Sequence, residues 1–209
     1  MLKLSTLAAL LVLPFAAQAN NLIVNGSFES QLINKGHWSV LSTLSGWQVD
    51  QTSGVELRNN IAGRAQDGVN FAELDTHHVK PFDKSTNSAI WQTVTTQANA
   101  LYTLSWWYSP RIGTAANTND ISVYWNDTLL MTNSGAGGSA HDWQSFSVQT
   151  LGTGLDVVKF IAGGKQDSFG GSLDNVSLVA APVPEAGTLS MVFAGLVAIG
   201  LMMFSRRRD

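Results

Sequence analysis

The 209-residue chain contains no cysteine. Disulfides are therefore excluded, and any folded domain rests on a hydrophobic core, with or without a metal. Charge is sparse at 13% of residues, and residues 20–183 hold eight Lys and Arg against thirteen Asp and Glu. This mildly acidic segment has no basic cluster and offers no electrostatic footprint for nucleic acid. Heptads and internal repeats are absent, and no stretch inside it sustains a helical period. Catalytic signatures are missing as well. Ser27, Ser45 and Ser134 adjoin glycines without forming a nucleophile elbow. Gly163-Gly164-Lys165 lacks the strand–loop–helix context of a phosphate cradle. Glu73 and Asp75 share strand parity, as paired hydrolytic carboxylates would, but nothing in the sequence fixes their separation. His77 and His78 are neighbours, so a strand would aim them at opposite faces with no third ligand at useful spacing. The chain reads as a non-enzyme.

What is present begins at the two ends. Lys3, an apolar run over 7–15 and Ala17-Gln18-Ala19 before Asn20 have the three-part layout of a secretory signal peptide, over 1–19. At the other end, 188–204 is an uncharged run of 17 residues. As a helix it spans about 26 Å, marginally enough for a hydrocarbon core of about 30 Å. Arg206, Arg207 and Arg208 would hold its C-terminal end on the cytoplasmic side. Read by physics alone, the chain is an exported protein hanging on one C-terminal helix.

The tail has a further reading. Val183-Pro184-Glu185-Ala186, the apolar run and the terminal arginines, together 181–209, resemble the PEP-CTERM sorting signal of Gram-negative bacteria, with Ala186 where the commonest form has a second proline. The resemblance implies a partner, the membrane protease-transpeptidase exosortase. It would recognise Pro184, Glu185 and the arginines, remove the tail from its inner-membrane intermediate, and pass the protein to the cell surface or an exopolysaccharide matrix.

Residues 20–180 read as one all-β domain. Short runs rich in Val, Ile, Thr, Tyr and Trp alternate with Gly, Asn, Asp and Ser clusters. Expected strands include LIVNGSFE, GWQVD, GVELR, NFAELD, SAIWQTV, ALYTLSWWYS, DISVYW, TLLMT, WQSFSVQ, LDVVKFIA and SLDNVSLV. Asn126-Asp127 has tight-hairpin chemistry. About ten such strands predict a two-sheet β-sandwich. Parity then separates Tyr102, Leu104, Trp106 and Tyr108 from Trp107, Ile90 from Trp91, and Val123 from Tyr124. Trp91, Trp107 and Tyr124 are thus candidates for a polar sheet face on which sugar C–H surfaces stack. The alternative is a secondary core under loops.

The ends of the domain carry a second resemblance. NLIVNGSFE at 21–29, Gly46-Trp47, NALYTLSWWYSPR and LDNVSL at 173–178 are similar to the galactose-binding-like jelly roll, including calcium-stapled carbohydrate-binding modules. The resemblance implies one structural calcium ion, with Glu29 and Asp174 as carboxylate ligands and main-chain carbonyls as the rest. Two functions remain open: a glycan-binding module for extracellular polysaccharide, or a structural matrix protein with no small ligand. A glycoside hydrolase is a distant third.

Overall fold

The fold was obtained as a computed structural model that describes residues 20–77, 86–182 and 195–196. The expected signal peptide, the 183–186 motif with Pro184 and Glu185, Arg206, Arg207, Arg208 and His78 lie outside the described residues. So does the apolar run at 188–204 apart from Gly195 and Leu196, which are helical and exposed. Among the described residues no helix is long and apolar enough to cross a membrane.

Asn20–Ala181 forms one compact unit. Its strands are β1 (His37–Leu41), β2 (Gln48–Val49), β3 (Val55–Asn59), β4 (Asn70–Glu73), β5 (Asp75–Thr76), β6 (Thr86–Asn87), β7 (Ala89–Thr95), β8 (Leu101–Ser109), β9 (Ile121–Trp125), β10 (Thr128–Asn133), β11 (Gln144–Leu151), β12 (Leu155–Ala162) and β13 (Ser172–Ala180). They build a six-stranded sheet, β1-β3-β4-β13-β8-β11, and a five-stranded sheet, β10-β9-β12-β7-β2, with β5-β6 as a small separate ribbon. Every pairing is antiparallel. The architecture is an all-β sandwich.

Alternation explains the packing. In β8, Tyr102, Leu104, Trp106 and Tyr108 are buried, while Thr103, Ser105 and Trp107 are only half-buried. In the opposing sheet Ile90, Val94, Val123, Trp125, Val158 and Phe160 turn inward and join the same core. Trp106 meets Phe160 edge-on across the sandwich, with ring centroids 6.1 Å apart. Burying an indole strands its N–H unless a partner is supplied; Trp106 Nε1 donates to Asn133 Oδ1 at 2.8 Å.

The expected strand LIVNGSFE is not one. Asn25 and Phe28 adopt φ of 55° and 60°, and these turns drop Phe28 into the core, fully buried, 5.8 Å from the Trp47 ring. The main chain finds partners without a ladder. Val24 N–H donates to Gln92 Oε1 at 2.8 Å, and Gln92 Nε2 donates back to Val24 O at 3.0 Å. Leu22 N–H donates to Leu178 O, and Val176 N–H to Gly26 O. The two ends of the domain therefore meet. GWQVD contracts to the two-residue β2, while β1 and β6 arise where no strand was expected. Asn126, at φ 55°, makes the expected β9–β10 hairpin.

Candidate functional site

The aromatic candidates divide between the two sheets. On the five-stranded sheet, register aligns Gln48 with Trp91, Trp91 with Lys159, Lys159 with Tyr124, and Tyr124 with Leu129. Directly opposed residues of an antiparallel ladder share a face, so these five form one row across the sheet. Trp91, Lys159 and Tyr124 are half-buried, and their strand neighbours Ile90, Gln92, Val158, Phe160, Val123 and Trp125 are buried. The row faces outward. Trp91 also forms one wall of an open trough of about 730 Å³, whose polar lining includes Ser42, Thr43, Gln48, Asp50 and Gln51.

Trp107 lies elsewhere. It pairs with Ser145 on β11 and Asp174 on β13, in the six-stranded sheet. The expectation of three aromatics on one face is corrected: parity assigns each ring to an outer face, but only strand pairing decides which sheet. The face around Trp107 is polar, with Ser105 and Ser177 hydroxyls 2.7 Å apart. The five-stranded face is less polar than expected, because Leu155, Val157 and Ile161 share it with Thr93, Thr95 and Ser122.

At the other end of the six-stranded sheet lies a charge network that the sequence reading missed. Glu56 and Glu73 are fully buried on neighbouring strands. Arg58 pairs with Glu56 and, through Nε, with Glu73 Oε2 at 2.9 Å. Arg111 Nη1 reaches Glu73 Oε1 at 2.7 Å, and Gly170 N–H donates to the same oxygen. Burial pushes the Glu73 carboxyl up, to about 8, against the pull of Arg58 and Arg111. Burial also raises Glu56, which Arg58 opposes. Aromatic rings cover this end of the sheet: Phe71, His141 and Trp143 pack edge-on, and Arg58 lies over Trp38. The signal was legible in principle, since Glu56 and Arg58 alternate on one strand face. Asp75 accepts N–H donors from Asp167 and Phe169, in the same segment whose Gly170 N–H donates to Glu73. His77 is exposed, its ring 5.4 Å from Trp38.

Glu29 and Asp174 hold the two ends of one loop. Glu29 Oε1 accepts the N–H groups of Val69 and Asn70 at 2.8 and 2.7 Å. Asp174 Oδ2 accepts those of Gln66 and Asp67, and its Oδ1 accepts Asn175 N–H. Burial nonetheless raises the Asp174 carboxyl to about 7, opposed by those three donors. Oxygen ligands of this kind suit calcium. Among the described residues, however, no group of three His, Cys, Asp or Glu is placed to hold a metal. A calcium joining Glu29 and Asp174 would therefore take most of its six to eight oxygens from main-chain carbonyls.

The chain matches no protein-family model. It is 30% identical over 179 residues to a multifunctional-autoprocessing repeats-in-toxin protein of Vibrio vulnificus, and 28% identical over 163 residues to one of Vibrio cholerae. These stretches cover 83% and 77% of the chain, which spans only about 3% of the length of either relative. Among solved structures, the Stig cyclase Fisc from Fischerella sp. TAU has a TM-score of 0.57 and 20% identity, covering 79% of this chain and 100% of that one. TmCBM61 in complex with β-1,4-galactotriose has a TM-score of 0.50 and 15% identity, covering 78% and 100%. A cleaved adhesin domain of Lys-gingipain from Porphyromonas gingivalis has a TM-score of 0.50 and 13% identity, covering 70% and 98%. These likenesses show a shared sandwich fold, one that carries an enzyme in the first case and a sugar-bound protein in the second.

Proposed function

We propose that residues 20–181 form a non-catalytic glycan-binding module of an exported protein. One observation carries this reading: Trp91 and Tyr124 stand in a single outward row on the five-stranded sheet, and Trp91 opens onto a largely apolar trough edged by Ser42, Thr43, Gln48, Asp50 and Gln51. Flat π faces take the C–H surfaces of sugar rings, and neighbouring hydroxyls, amides and carboxylates take their hydroxyls. That TmCBM61, of the same fold, holds a galactotriose supports the architecture as a glycan scaffold. A binding rather than hydrolytic role fits the carboxylates, since Glu73 is sealed in a network with both its oxygens engaged.

Delivery follows from the chain ends. In this reading the signal peptide carries the domain out of the cytoplasm, the apolar run at 188–204 holds it briefly in the inner membrane, and an exosortase releases it toward surface or matrix polysaccharide. A single calcium at Glu29 and Asp174 would fasten the first and last parts of the domain across the 66–70 loop.

The test is polysaccharide binding by the purified chain and its Trp91→Ala, Tyr124→Ala and Trp107→Ala variants. The first two should each weaken binding, up to about tenfold for loss of one stacked ring, with no change in melting midpoint. Trp107→Ala should bind normally. If wild-type protein retains no polysaccharide at all, the structural-matrix reading takes its place.

A further inference from the structure

Lys159 is placed where the glycan-binding reading alone has no use for it. It is the charged member of the outward row, opposite Trp91 on one side and Tyr124 on the other. The outward positions of β7, β12 and β9 are otherwise Ala89, Trp91, Thr93, Thr95, Leu155, Val157, Ile161, Ser122 and Tyr124, without a carboxylate among them. Among the described residues Lys159 makes no ion pair. A half-buried lysine with no charged neighbour on the outward face of β7, β9 or β12, Asp50 at the trough being the nearest acid along the row's line, is unusual in a segment where acids outnumber bases thirteen to eight. Its methylene stem suits the apolar surroundings, and no carboxylate among the described residues pairs with its head group.

We infer that the row binds an acidic polysaccharide, with the Lys159 ammonium pairing with a sugar carboxylate. The inference rests on the glycan-binding reading and deepens it. Strand spacing supplies the geometry. Trp91 and Tyr124 are two strands apart, about 9.6 Å, which matches the span of a disaccharide unit. A polymer lying across the strands can stack alternate rings on Trp91 and Tyr124. The intervening ring then sits over Lys159, and a uronic acid there presents its carboxylate to the ammonium. Beyond Trp91 the same line runs into the trough, so the chain has room to continue. The substrate class is thus a polyuronate or other carboxylated glycan, bound perpendicular to the strands.

The experiment compares polygalacturonate with the same polymer after carboxyl reduction, which keeps the backbone and removes the charge. The full chain and its Lys159→Met, Trp91→Ala and Tyr124→Ala variants are titrated against both. Lys159→Met should lose up to about fivefold on the acidic polymer, the reach of one solvent-screened ion pair, and bind the reduced polymer as wild type does. Raised salt should reproduce that loss in wild type and leave the variant unchanged. Trp91→Ala should weaken both polymers. Equal wild-type binding to both, or a Lys159→Met variant that keeps the preference for the acidic polymer, overturns the inference while glycan binding stands. Binding to neither polymer removes the reading beneath it. A dimer in sedimentation that Trp91→Ala dissociates would show that the row faces a second copy, and overturns the inference too.

Discussion

Arg58 sits between two glutamates that have no access to water. Its removal would leave two buried carboxylates facing Arg111 alone. Arg58→Ala should therefore cost about 3–5 kcal/mol, read by urea titration, while Arg58→Lys recovers only part because an ammonium cannot fork between two carboxylates. Asp174 gives a pH signature. Its folded carboxyl is raised to about 7 from 3.8, so the folded state holds the proton more tightly than the unfolded one. Stability from this group is complete below about pH 4 and declines as pH climbs to about 7. Calcium favours the charged form, so chelation should lower the melting midpoint clearly at pH 8 and little at pH 5. A midpoint indifferent to chelator at both values removes the metal proposal. At this scale the sequence supplied parity, which put Trp91, Trp107 and Tyr124 outward; Glu29 and Asp174 came only from the resemblance to the galactose-binding-like jelly roll. It did not supply the Glu56–Arg58–Glu73–Arg111 network, because two strands and a loop must assemble before those charges meet.

Among the elements, the hairpin at Asn126 shows how much local sequence decides. Its φ of 55° tolerates Asn and Gly, and its side chain also donates to Asp156 Oδ1 at 2.9 Å and accepts Val157 N–H at 2.8 Å. Asn126→Gly keeps the turn and loses the bonds, while Asn126→Ala loses both. Denaturant melts should rank them wild type, Gly, Ala, with Ala down by roughly 2 kcal/mol. This turn and β7, β8, β9 and β12 were legible because alternation is a local property. Sheet membership was not. β7 pairs with β12 some sixty residues later, and nothing local to Trp91 or Trp107 tells which partner each will find. The 21–29 segment failed for another reason: its apolar residues are spaced like a strand, yet Asn25 and Phe28 turn, and Gln92 takes the place of a ladder neighbour.

For the molecule as a whole, composition excluded disulfides, and turn spacing pointed to a sandwich; the order of its strands came only with the structure. The sorting proposal makes its own prediction. An epitope placed after Asp209 should vanish from mature protein in the native host, and should persist when the exosortase gene is deleted. A tag retained in wild-type cells would establish a permanent anchor instead.

Strand β13 is the last strand among the described residues and yet lies inside its sheet, between β4 and β8. Until it arrives, β4 and β8 face each other across a gap with their inner ladders unsatisfied, and Leu22 and Gly26 lack the strand they bond to. No partial product emerging N-terminus first can settle into the native arrangement. Were the chain exported N-terminus first, as proposed, the sheet would lack its central strand until residues 172–180 came clear.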